Sequence, residues 1–166
     1  MSMQLNAKLV EQAKFVMGCA PAALTSTAGD GDYVSMKGYR RCTIVLLVLN
    51  GSTVTGGTIT LKQASAVAGT GEKALSFSTM HANTDCAASD TLVATAVSSD
   101  TFTTNTTNSK QLMYVMEVTS EMLDTANGFD CIRIDSTGMA NAVGSVLYLL
   151  DGARYGAATP PAAITD

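Results

Sequence analysis

Tryptophan is absent from this chain, proline occurs three times, histidine once, and charged residues make up only 14%. Each scarcity excludes something. Carbohydrate sites rest on aromatic faces with converging polar groups, and a chain with no tryptophan and 5% aromatics is poorly supplied for one. The single histidine, His81, has Asp85 and Cys86 near it in "HANTDCAASD", but no second imidazole is available to complete a relay or a metal site. That segment reads as an exposed loop. Ten lysines and arginines are scattered along a chain of net charge −4 and pI about 4.8. No basic footprint for nucleic acid and no polybasic segment for a membrane surface is present. No apolar run approaches the roughly 20 residues of a spanning helix. The N-terminus shows no charged region leading into an apolar core, so no secretory signal is expected.

The four cysteines, Cys19, Cys42, Cys86 and Cys131, form no C-x-x-C pair, which removes the usual zinc pattern. Cys42 and Cys131 lie in apolar runs, where a reduced cysteine behaves as a small hydrophobe. Four free thiols and a reducing compartment of synthesis are expected. Neither G-x-S-x-G nor H-E-x-x-H occurs. "GTGEKA" at 69–74 has the spacing of a dinucleotide loop, but it leads into a strand-like segment and reads as a hairpin loop. Asp30 and Asp32 flank Gly31 without the further oxygen ligands of a calcium loop, so this is an Asp-Gly turn. No enzyme activity, cofactor or metal is expected.

What is present is apolar. Hydrophobic residues make up 46% of the chain. A surface with so little charge is sticky for a free monomer, which points to assembly. The run "RRCTIVLLVLNG", residues 40–51, is too short for a membrane span. It is rich in β-branched residues and ends in an Asn-Gly turn signal. It reads as a strand with Ile44, Leu46 and Val48 on one face. Val45, Leu47 and Leu49 on the other face need a second layer, a terminal segment or another subunit to cover them.

Further strands are expected at 33–36, within 52–64, and at 73–77, 91–97, 112–119, 131–135 and 143–150. About eight strands punctuated by Gly, Ser, Asn and Asp give an antiparallel β-sandwich, jelly-roll-like. In "MQLNAKLVEQAKFVM", Leu5, Leu9, Val10, Ala13 and Met17 fall at helical spacing and Gly18 follows as a C-cap, so a short helix or arm is expected. "SEMLDTANG" reads as one helical turn capped by Ser120 and Gly128. The tail "ARYGAATPPAAITD" reads as extended. The chain is expected to be one domain over 1–166, with an arm and loop region at 1–32, the sandwich at 33–151 and the tail at 152–166.

Four segments carry a resemblance: "YVSMKGYRRCTIVLLV", "GGTITLKQASAVAGTGEKALSF", "ANGFDCIRID" and "LLDGARYGAATPPAAITD". Together they cover about two fifths of the chain and resemble small virion structural proteins of tailed double-stranded DNA bacteriophages. The resemblance implies a head decoration (cement) protein. Its partners would be the major capsid protein and its own copies, as a dimer or trimer. It would be made in the host cytoplasm and sit on the capsid surface, with no nucleic-acid or membrane partner. On this reading the contact residues are Leu5, Leu9 and Val10 at one terminus and Tyr155, Pro160, Pro161 and Ile164 at the other. A tail component and a receptor- or carbohydrate-binding β-sandwich module are the alternatives.

Overall fold

In the computed structural model, which describes residues 8–25, 31–97 and 99–153, the apolar run forms strand β3, Arg41–Asn50. Its side chains alternate. Cys42, Ile44, Leu46 and Val48 point into the core with at most 4% exposure. Thr43, Val45, Leu47 and Leu49 point the other way. β3 lies between β11 (Ala142–Asp151) and β9 (Gln111–Thr119), antiparallel to both. Beyond β11 runs β1 (Ala13–Ala23), and beyond β9 run β6 (Thr79–Asn83) and β7 (Val93–Ala96). The order of this six-stranded sheet is β1-β11-β3-β9-β6-β7.

The second sheet has the order β2-β10-β4-β5, formed by Val34–Ser35, Cys131–Ser136, Thr58–Ala64 and Lys73–Ala74. A short strand β8, Thr101–Thr103, pairs with β4. All pairings are antiparallel. The chain changes sheet at each step from β1 to β4, and again from β9 to β11. The protein is therefore a mainly β sandwich.

One core lies between the sheets. Ile59, Leu61, Ile132 and Ile134 of the smaller sheet meet Ile44, Leu46, Val146 and Tyr148 of the larger. Phe77, Phe102 and Tyr114 form an aromatic chain, with ring centroids 6.4 and 5.1 Å apart. Tyr148 is fully buried, and its hydroxyl accepts a hydrogen bond from the Ile134 N–H at 3.3 Å, which ties one sheet to the other. The ring needs space. A Cβ on Gly18 would lie 2.3 Å from Tyr148 Cε2, and one on Gly31 would lie 2.2 Å from its hydroxyl. Both glycines are required by this close approach.

Four expectations are corrected. The helix read over the N-terminal segment is confined to α1, Leu9–Gln12, and residues 13–23 are the edge strand β1, so the sandwich begins at Ala13 and not at residue 33. Pairing along β11 outweighs the weak helical spacing, and Gly18 makes room for Tyr148 where a C-cap was expected. His81 lies in β6, not in a loop. The turn in "SEMLDTANG" is a 3-10 turn at Thr125–Asn127. Gly128 closes it at φ +81°, but Asp124, not Ser120, holds the N-cap position. Eleven strands are formed among the described residues, against the eight expected. The additions are β1, β6 and β8.

Candidate interaction surfaces

The two outer faces of the sandwich are chemically opposite. On the smaller sheet, Lys62 of β4 stands directly opposite Arg133 of β10. Like charges opposed across a ladder repel unless carboxylates sit between them. Glu72 and Asp135 do this. Glu72 accepts from Lys62 at 2.9 Å, Arg133 at 3.2 Å and the Tyr33 hydroxyl at 2.8 Å, and Asp135 pairs with Lys62. The Arg133 guanidinium also stacks over the Tyr33 ring, 4.9 Å from its centroid. Hydrogen bonds from Lys62 and then Tyr33 hold the Glu72 carboxyl below its ordinary pKa. Burial, and then donation to Glu72, pushes the Tyr33 phenol up. Beside this network lies an open cleft of about 510 Å³, lined by Asp32, Tyr33, Gly69, Glu72 and Arg133 among others. Its cations are already matched by carboxylates, so this is a hydrated, self-neutralised face.

The six-stranded sheet presents the reverse. Its ladders align Met17, Leu147, Val45, Val115, His81 and Ala94 in one row across all six strands. A second row joins Ser145, Leu47 and Met113, and a third joins Val143, Leu49 and Gln111. Phe15, Leu149 and Thr43 form a row on the other side. Met17 is 61% exposed, Leu49 51% and Leu47 41%. No second layer of the described chain covers them. The expectation that β3 needs cover on both faces is thus met by the described residues on one face only.

Charge on this outer face is confined to one end. There Arg41 forms a forked pair with Asp151, Nη2 to Oδ2 at 2.7 Å and Nε to Oδ1 at 3.1 Å, and reaches Glu117 at 3.7 Å. The bond from Asp151 raises the Arg41 pKa. Between this cluster and the row of Leu49, the outward residues of β11, β3 and β9 carry no charge.

The terminal segments meet at the same charged end. Ala13, the first residue of β1, pairs with Asp151, the last of β11. Leu9 and Val10, expected as contact residues, precede this point on α1 and are 45% and 65% exposed. Leu5, Tyr155, Pro160, Pro161 and Ile164, the other expected contacts, lie outside the described residues, as does Asp30. Sequence reasoning named the arms and missed Phe15, Met17 and Val143. Their signal was apolar side chains at strand positions that the core does not use.

No group of three His, Cys, Asp or Glu residues that could hold a metal occurs among the described residues. His81 is exposed, and Asp85 pairs with Lys110 instead of turning towards it. "GTGEKA" closes the turn between β4 and β5 and supplies β5 itself, with Gly69 and Gly71 at φ +79° and +65°. All four cysteines are free thiols; Cys42 and Cys131 are buried. Burial, and then donation to Asp130, pushes the Cys131 thiol up to about 12. No described helix is long and apolar enough to cross a membrane.

No protein-family model matches the chain, and no curated protein matches it. Among solved structures, the crystal structure of the SPBc2 prophage-derived protein YomS is similar. The TM-score is 0.45 at 11% identity, over 84% of this chain and 93% of that one.

Proposed function

We propose that the chain is a non-enzymatic virion structural protein, a decoration (cement) protein that binds the assembled capsid lattice across subunit seams and stabilises it. The observation that carries this reading is the shared exit of the two terminal segments. Because Ala13 pairs with Asp151, both arms leave the sandwich side by side at one corner. From there Leu5, Leu9 and Val10 on one arm and Tyr155, Pro160, Pro161 and Ile164 on the other can bridge neighbouring subunits of a major capsid protein. The resemblance of the four sequence segments to small phage virion proteins supports the same reading. So does a strand order, β1-β11-β3-β9 over β2-β10-β4-β5, that we read as jelly-roll wiring with β6, β7 and β8 added.

A ligand that binds the assembled lattice better than the free subunit stabilises the lattice by mass action. Prolines reduce the ordering cost of an extended arm, because its unbound state is already restricted. The test is co-sedimentation of full-length protein, and of protein lacking residues 156–166, with capsids, followed by heat or osmotic challenge. The truncated protein is expected to stay folded but to bind and protect less. Equal protection would remove the tail from the attachment site. If neither form binds heads, the decoration reading fails and a tail location moves ahead.

A further inference from the structure

We infer that the outer face of the six-stranded sheet is a self-association surface that packs against the same face of a second copy. The inference does not depend on where the protein works. It rests on the area and the charge pattern of that face.

The charge-free part spans seven residue positions of β1, β11 and β3 and five of β9, where Glu117 ends it. At about 4.8 Å between strands and 3.4 Å per residue, this gives about 420 Å² of plan area per copy. Two faces together remove about 850 Å² from water, and the continuation of the Met17 row through His81 and Ala94 carries this towards the 1,200–2,000 Å² range of specific complexes. A patch of this size matches the largest patch of a typical monomer, about 300–600 Å², which is often an interaction site.

The charge pattern selects the occupant. Arg41, Asp151 and Glu117 are satisfied within the chain, so the face calls for no complementary charge from outside. Lys and Glu, the usual residues of a solvated sheet face, are missing from the row of Met17, Leu147, Val45 and Val115. A neutral, apolar sheet face is matched by another neutral, apolar sheet face of the same twist, and a second copy supplies one by symmetry. Face-to-face sheets pack about 10 Å apart, the same contact already made inside the sandwich. The polar face with Lys62, Glu72, Arg133 and Asp135 then remains in water.

The test is sedimentation equilibrium of the full chain across about 1–100 μM, a range that resolves micromolar dissociation constants. Wild type is expected to be dimeric at the upper end. Leu47→Lys should raise the dissociation constant at least about a hundredfold, with an unchanged melting temperature in dilute solution. Thr60→Lys, on the outer face of the other sheet, should leave the dimer intact. If Leu47→Lys does not fold, Leu49→Ser, at a more exposed position, tests the same face. A wild type that stays monomeric at 100 μM overturns the inference, as does a dimer indifferent to both β3 variants. A monomer that dimerises only when residues 154–166 are removed also overturns it, and assigns the face to the chain's own tail.

Discussion

Leu46 and Leu47 are neighbours in one apolar run, and replacing each with alanine should have opposite consequences. Leu46 is 1% exposed and sits in the core with residues of both sheets. Truncating such a leucine removes its transfer free energy and leaves a cavity, at a cost of about 2–5 kcal/mol. For a chain of this size each kcal/mol lowers the melting temperature by about 2–4 °C, so Leu46→Ala should lower it by about 6–12 °C at a mid-range cost of 3 kcal/mol. Leu47 is 41% exposed, flanked by Ser145 and Met113 across the ladders. Its truncation opens no enclosed cavity and should cost below about 1 kcal/mol in dilute solution. In concentrated solution the Leu47→Ala deficit should grow, because wild type gains stability from association and the variant gains less. The assay is thermal unfolding by circular dichroism at two protein concentrations. Equal and concentration-independent losses for the two variants would refute the assignment of inner and outer faces.

Three further outcomes are expected. Gly18→Ala should destabilise by about 1–3 kcal/mol, because the Tyr148 ring it meets is fixed by burial and by Ile134. Pairing it with Tyr148→Leu should cost less than the sum of the two changes, read as a double-mutant cycle by urea unfolding. A thiol reagent at neutral pH should label the half-buried Cys19 and Cys86, leave the buried Cys42 and Cys131 unmodified, and count four thiols only in denaturant. Glu72 has a folded pKa below its ordinary value, so its contribution is present above the unfolded value of about 4.3 and is lost as pH falls through the lower folded value. Glu72→Gln should therefore lower stability slightly at neutral pH and flatten the acid limb below about pH 4.3, followed by urea midpoints across that range. The size of that effect is modest, because the side chain is 39% exposed and screened by water.

The inner half of the fold was legible because its signals are local. β3 is framed by Arg40 and Arg41 before it and Asn50-Gly51 at its end, and Gly69 and Gly71 mark the β4–β5 turn as glycines with positive φ. The outer half was not. In β1, Val16 points inward and Phe15 and Met17 outward, so both faces are apolar and no alternation distinguishes the strand from a helix. β6 is short and mixes buried Met80 and Ala82 with exposed Thr79 and His81, and only its pairing with β9 and β7 gives it a reason to be extended. That the outward residues of four strands join into one apolar surface depends on registers between distant segments, such as Met17 with Leu147, which no local pattern encodes. The need for cover over Val45, Leu47 and Leu49 could be read from β3 alone; the extent of the face could not.

A reconstruction of particles carrying this protein at side-chain resolution tests the central claim most directly, because it shows at once where the chain sits and what covers its apolar face. The account predicts the protein on the capsid surface, with Met17, Leu47, Leu49 and Val143 packed against the same residues of a second copy and the Lys62, Glu72, Arg133 and Asp135 face in water. Those four apolar residues lying open to solvent in the assembled particle would contradict it.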